Sequence, residues 1–488
     1  MKIDRHPPVV ASLQPSNHPY LNGAWTPLHE EVDAFDLEVI EGAIPRDIDG
    51  VYLRNTENQV HQPLGRYHPF DGDGMIHQIE FRDGRADYRN RFVRTRGFEA
   101  EQEAGGSLWG GLADPVKLAK RPGWGAHGFL KDSSSTDVVV HAGRALSTFY
   151  QCGEGYRLDP LTLEGEGLES WTPIDGISAH PKVDERTGEL MFFNYSKHAP
   201  FMHYGVVGPD NRLKTYVPIP LPGPRLPHDM AFTEHYSILN DLPVFWDADL
   251  LQRNIHAVRL HEGLPSRFAI IPRHGTADQV RWFEAQPTYV LHWLNAYEDG
   301  DEVVLDGYFQ EDPMPRPMAD APAGFEHMMA FLDEHSFRPK LHRWRFNLAD
   351  GTTREEHLDE RIMEFGMINA RHAGRPYRYG YSTVSEPGWF LFRGFVKSDL
   401  HTGRSQAFML PPGVYASEAP FAPRLGAVEE DDGYLVSFLT DERRGTSECV
   451  LIDAKRLEDG PVCRIALPHK LCSGTHAVWA DRAMLARA

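Results

Sequence analysis

Residues 76–93 read IHQIEFRDGRADYRNRFV, two runs rich in Ile, Phe, Tyr and Val on either side of Asp83–Gly84. An Asp-Gly pair between strand formers signals a β-hairpin, because the tight turn needs backbone angles that Gly and Asp tolerate. Similar runs and turns recur in TDVVVHAGRALSTFYQ (136–151), GELMFFNYS (188–196), DEVVLDGYF (301–309), HRWRFNLADGTTREEHL (342–358) and GYLVSFLTDERRGTSECVLIDAKRL (433–457). Strands at this spacing over 488 residues predict a closed or radially repeated all-β architecture, since an open sheet of that size would expose its edges. A propeller is favoured over a sandwich. No motif returns at a fixed period, so the repeat is structural only.

Helical pattern is scarce, and its better candidates are FWDADLLQRNIHAVRL (245–260) and GGSLWGGLADPVKLAKRPGW (105–124). No low-complexity linker divides the chain, so one domain is expected over residues 1–488, with an irregular segment at about 1–20. The Pro-rich EDPMPRPMADAPAGF (311–325) reads as an excursion over one face.

Seventy acidic against 50 basic residues give a formal net charge of −20, which argues against nucleic acid as a partner. No stretch approaches the roughly 20 apolar residues of a membrane span. MKIDRHPPVVASLQPSNHPY (1–20) has no apolar run of the signal-peptide kind, so a cytoplasmic location is expected. Cys152, Cys449, Cys463 and Cys472 form no CxxC pair and read as buried thiols.

The candidate chemistry lies in four histidines, far apart in sequence and each in a strand-like context: His180 in ISAHPKVDERTGEL, His228 in LPHDMAFTEHYSIL, His292 in VLHWLNAYEDGDEVVL and His476 in SGTHAVW. Four converging imidazoles would hold a divalent ion while leaving its charge unneutralised, which suits redox chemistry with oxygen. The plainer alternative is four hydrogen-bonded strand histidines among the 25 in the chain. The spacings His29/Glu31 and His357/Asp359 imitate part of a two-histidine, one-carboxylate site, but composition alone supplies about three or four such pairs. Asp71 and Asp73 in FDGDGM read as a tight turn rather than a calcium loop. No GxSxG, P-loop or GxGxxG pattern supports a hydrolase, nucleotide enzyme or nicotinamide enzyme.

Taken in order, LRNTENQ (53–59), YHPFDGDGMIHQIEFRDG (67–84), SAHPKVD (178–184), PHDMAFTEHY (227–236), HWLNAYEDGDEV (292–303), MEFGMINARHAGRPYRYGY (363–381), SEAPFAPR (417–424), EEDDGYLVSF (429–438) and GTHAVW (474–479) resemble the carotenoid cleavage oxygenase family. The likeness runs from about Pro19 to Trp479. It implies a seven-bladed β-propeller, with loops and short helices capping the iron-bearing face, and one Fe(2+) per chain held by His180, His228, His292 and His476. It also implies Glu364 and Glu418 as outer hydrogen-bond partners of ligating histidines, with Gln151 at the third such position. Thr136 corresponds to a threonine beside the open iron positions.

The implied reaction is cleavage of a conjugated C=C bond by O2 into two carbonyl products, without an organic cofactor. Stilbene and isoeugenol cleaving relatives anchor a 4-hydroxyl group with a tyrosine and a lysine, where this chain offers Leu112 and Tyr150. LRNTENQ in turn departs from the LRNGPNP pattern of many carotenoid cleaving members. An apocarotenoid-like alkene is therefore the first substrate class, and a stilbene or 4-vinylphenol type the alternative. Trp109, Leu112, Phe149, Tyr150 and Phe309 are candidate lining residues for a lipophilic or aromatic alkene. Residues 108–129, with Lys117, Lys120 and Arg121 among apolar residues, could touch a membrane surface. The rival from another class is a propeller binding module or a lactonase-type hydrolase, metal-free or holding calcium.

Overall fold

The Asp83–Gly84 turn forms as its sequence requires. In the computed structural model, which describes residues 1–123, 130–172, 176–253 and 257–486, both turn residues take positive φ, 52° and 74°. That is the turn whose twist matches the strands it joins, here Asp73–Arg82 and Arg85–Phe92, with Arg82 opposite Arg85. Ala142–Gly143 repeats the device between Asp137–His141 and Arg144–Thr148. There Ala142 accepts a left-handed φ of 47° that favours glycine.

The chain divides into two compact units, Met1–Ala179 with Phe408–Ala488, and His180–Ala407. The first unit holds three antiparallel arrays. One orders Lys2–Arg5, Val32–Phe35, Arg85–Phe92, Asp73–Arg82, Gly50–Asn58 and Ala477–Asp481, so the last strand of the chain pairs with one of the earliest. A second runs from Asp137–His141 through Arg144–Thr148 and Tyr156–Leu158 to Gly165–Leu168. The third contains Val414–Ala416, Gly433–Asp441, Thr446–Asp453, Pro461–Ala466 and Val39–Gly42. Inward residues of these strands, such as Tyr52, Ile79, Tyr88, Val436, Leu451 and Trp479, build one apolar core.

The second unit is a succession of meanders. They begin with Lys182–Asp184, Ala231–Phe232, Trp293–Asp299 and Met363–Met367 respectively. Phe268, Trp293, Trp344 and Phe346 form the densest part of its core.

Three local features differ from the sequence reading. Residues 2–5, expected to be irregular, form an edge strand paired with Val32–Phe35. The nine-residue helix Arg96–Ala104 lies just before one expected helical segment; Thr95 Oγ1 accepts the Phe98 N–H and Gly105 ends it at φ 67°. The Pro-rich 311–325 stretch feeds two short helices, Glu326–Leu332 and Glu334–Phe337. Among the described residues of the two expected segments, 245–260 supplies the helix Ala248–Gln252 and 105–124 the single turn Val116–Leu118.

The second unit also buries an ion cluster. Asp184 accepts from Arg273 at 3.0 Å and Arg375 at 3.2 Å, and all three side chains are buried. Burial alone would raise the pKa of Asp184, but hydrogen bonds from Arg375, the Arg186 N–H and Arg273 outweigh it and hold the carboxyl below its ordinary value. Removing Asp184 leaves Arg273 with Glu189 at 3.0 Å but the buried Arg375 with Glu234 at 3.9 Å, and breaking a buried pair costs about 3–5 kcal/mol. Asp184→Ala is therefore expected to lower unfolding stability by about that amount in denaturant titration. A folded-state pKa below the unfolded one stabilises above the unfolded pKa and is lost as pH falls through the folded pKa. The wild-type advantage over Asp184→Asn should shrink accordingly in acid.

Candidate metal centre and active site

Each candidate histidine stands at the entrance of a strand. His180 precedes Lys182–Asp184, His228 precedes Ala231–Phe232, His292 precedes Trp293–Asp299 and His476 precedes Ala477–Asp481. The sequence separations are irregular because the loops between meanders vary, while the structural position repeats.

Within the second unit, His180, His228 and His292 face one another. The Nε2 atoms of His180 and His228 are 3.2 Å apart, and ring centroids lie 4.8 Å apart for 180–228 and 5.2 Å for both 180–292 and 228–292. Imidazole nitrogens about 2.0–2.1 Å from one ion stand about 3.0 Å apart at a right angle and about 3.4 Å at a tetrahedral one. The 3.2 Å separation lies between these values, so the donors fit a single divalent ion. His180 holds a left-handed backbone, φ 63°, which costs energy for a residue with a Cβ and is typical of functional sites.

One acidic side chain joins the three histidine-bearing segments. Asp229, next to His228, receives the Lys182 ammonium at 2.7 Å on Oδ1 and the Trp293 N–H at 2.9 Å on Oδ2. Lys182 is two residues beyond His180, and Trp293 adjoins His292. Oδ1 also accepts the Met230 N–H at 2.7 Å. Burial pushes the pKa of Asp229 up, opposed by the Lys182 charge and these hydrogen bonds.

Glu364 supports His292. Its Oε2 lies 2.7 Å from His292 Nδ1 and accepts the Phe365 N–H at 2.7 Å, with the carboxylate fully buried. An acceptor at Nδ1 puts the ring proton there and makes Nε2 the atom whose lone pair can face a metal. Phe365, itself at φ 53°, packs its ring 4.5 Å from that of His292.

The first unit repeats the arrangement at His476. Glu418 Oε2 lies 3.4 Å from His476 Nδ1 and accepts the Ala477 N–H at 2.6 Å. Burial pulls the pKa of His476 down, but the charge and hydrogen bond of Glu418 outweigh it and hold it above the ordinary value. Thr136 belongs to the same neighbourhood: its carbonyl accepts the Thr475 hydroxyl at 3.1 Å, and its Oγ1 accepts the Tyr150 N–H at 3.1 Å. Gln151 stands half-buried in the turn that follows Arg144–Thr148.

Trp109, Leu112 and Phe149 line a small pocket of about 30 Å³ in the first unit, together with Tyr67, Asp71 and Lys131. Tyr150 contacts Phe149 edge-on, centroids 5.1 Å apart. Phe309 occupies the apolar core of the second unit, packed on His342 and Trp344. Asp71 ends a short helical turn and accepts the His68 and Leu112 N–H groups, while Asp73 and Glu101 pair with Lys131 at 2.5 and 2.6 Å. These carboxylates are engaged by protein donors. Sequence reading missed Asp229, whose partners lie on distant strands, and Lys131, whose partners lie on a strand and a helix. For the basic segment at 108–129, residues 124–129 lie outside the described residues; within the rest, Lys120 Nζ donates to the Ser107 carbonyl at 2.9 Å.

Histidines at strand entrances, two of them backed by buried carboxylates, form donor sets of the kind that suits a divalent metal ion. Residues 25–481 match the family model described as RPE65, retinal pigment epithelial membrane protein. The chain is 31% identical over 500 residues to carotenoid 9,10(9',10')-cleavage dioxygenase 1 of Pisum sativum, covering 94% of this chain and 89% of that one. It is also 31% identical over 503 residues to lignostilbene-alpha,beta-dioxygenase isozyme III of Sphingomonas paucimobilis, covering 95% and 97%. The crystal structure of Pseudomonas brassicacearum lignostilbene dioxygenase is similar with a TM-score of 0.84 at 27% identity, covering 96% of this chain and 100% of that one. The chain belongs to the RPE65 and carotenoid cleavage oxygenase family. Its fold class is the expected all-β propeller.

Asp229 ties down all three histidine-bearing segments of the second unit through Lys182 and the Trp293 N–H. Asp229→Ala is expected to weaken retention of a divalent metal by these histidines about 10–100-fold, the usual effect of losing outer support. Metal content after graded chelator dialysis would measure this, and a wild-type profile would rule the role out.

Proposed function

We propose that this chain is an iron(II)-dependent oxygenase that splits a conjugated carbon–carbon double bond with dioxygen. One alkene and one O2 give two carbonyl compounds, so the balance needs no external reductant and no organic cofactor. The observation that carries the reading is the cluster of His180, His228 and His292, one of them backed by a buried glutamate. The fourth ligand in this reading is His476, supported by Glu418 as His292 is by Glu364. Bound there, iron(II) would supply the redox chemistry with dioxygen that no side chain offers.

The chain's own residues set the conditions for that chemistry. Glu364 and Glu418 hold Nδ1 protons and so present Nε2 as the donor atom. Gln151 is assigned as a third outer partner, an amide that accepts from an imidazole N–H without adding negative charge. Thr136, its hydroxyl oxygen engaged by the Tyr150 N–H, is assigned to limit water near the reacting atoms. Trp109, Leu112, Phe149 and Tyr150 offer apolar faces on which a flat conjugated substrate packs.

The substrate class in this reading is an apocarotenoid-like alkene. A stilbene or phenylpropenoid is the second reading, favoured by the likeness to lignostilbene dioxygenases in sequence and structure. Iron-loaded protein should consume oxygen with one of these classes when apocarotenals, stilbenes and 4-vinylphenols are compared. Labelled dioxygen should then appear in both carbonyl products; label in one product alone, after correction for exchange, would refute the dioxygenase outcome. Alanine at His180, His228 or His292 should abolish both bound iron and oxygen uptake, and survival of both would remove the ligand assignment.

The reading places the protein in the cytoplasm, in contact with a membrane surface through the segment that begins at Leu108, where a lipophilic substrate partitions. The protein is expected to float with anionic liposomes in a density gradient. Recovery wholly in the soluble fraction would count against this contact.

A further inference from the structure

The second unit carries another histidine pair outside the cluster described above. His342 on Pro339–Asn347 and His357 on Thr353–His357 stand directly opposite across an antiparallel ladder. Their Nδ1 atoms are 3.0 Å apart. Two bare lone pairs repel at that distance, so these nitrogens must share either a proton or a cation.

The surroundings decide which nitrogen of His342 is bare. Glu355 Oε2 lies 3.3 Å from His342 Nε2, and the other Glu355 oxygen accepts the Gln286 N–H at 3.0 Å. The carboxylate therefore takes the Nε2 proton, and the lone pair of Nδ1 points at His357. A carboxylate behind one ring nitrogen is the support that metal-ligating histidines commonly have behind them. His342 is buried against Phe309 and Trp344, with ring centroids 5.0 and 4.3 Å away, so its ring is held in place. His357 is exposed at the end of its strand, which gives an ion a path in from solvent.

The nearby charges permit a cation. Lys340 donates to Glu311 at 2.7 Å and Glu360 at 2.5 Å, so two carboxylates compensate one ammonium. The Nδ1 separation again matches two nitrogen ligands about 2.0–2.1 Å from one ion at close to a right angle.

We propose that His342 and His357 form a second metal site, which takes a nitrogen-preferring divalent ion of the zinc or copper kind in place of the shared proton. Water fills the remaining positions, and Glu355 orients His342 from behind. The ion acts as a cross-strand clip on the outer part of this meander and takes no part in alkene cleavage.

Zinc is the probe, added to iron-loaded protein. Wild type should bind one more zinc per chain than His357→Ala, with iron content unchanged in both. His357→Ala removes an exposed side chain and should keep the wild-type fold and oxygen uptake. Glu355→Gln should raise the zinc concentration at half-occupancy by about 10–100-fold. X-ray absorption at the zinc edge should show two imidazoles in the bound ion's shell. Equal zinc uptake by wild type and His357→Ala, or uptake matched by loss of iron, would overturn the proposal.

Discussion

The carboxylate of Asp229 is the constraint on which the histidine-bearing half of the second unit depends. Three histidines can share an ion only if three loops are held to within a few tenths of an ångström, and loops are the least rigid part of a sheet protein. Asp229 solves this by bonding to Lys182 and to the Trp293 N–H, next to or near each of the other two histidines, while its own neighbour is the third. Its burial makes each of these bonds stronger than it would be in water. The same burial makes loss of any one of them expensive.

Glu364 and Glu418 show a related economy. Each accepts one imidazole proton and one backbone N–H through the same oxygen, Phe365 N–H for Glu364 and Ala477 N–H for Glu418. A carboxylate fixed by the main chain cannot rotate away from its histidine, so ring orientation follows from strand geometry. The left-handed backbone at His180 and Phe365 fits this picture, because residues are held in costly conformations only where their surroundings over-determine them.

Much of this was legible in the sequence, for reasons that differ by residue. Asp83–Gly84 announced its turn because the chemistry is local. The four histidines could be picked from 25 only through the order of their flanking motifs, since no short spacing joins them. Asp229 and Lys131 escaped notice because their partners lie on elements remote in sequence. The helix Arg96–Ala104 was missed because nine residues give too few turns for a periodic signal, although Thr95 and Gly105 mark its ends. Phe309 could be read from the sequence as a lining residue or as propeller core, and its ring packs on His342 and Trp344.

The pairing of Ala477–Asp481 with Gly50–Asn58 bears on the order in which the molecule becomes competent. Contacts between the two ends of a chain form late, since loop closure must precede any reward from the contact. His476 immediately precedes that strand, and Glu418 accepts the N–H of its first residue. During synthesis, a nascent chain therefore displays Glu418 before the histidine it supports has emerged.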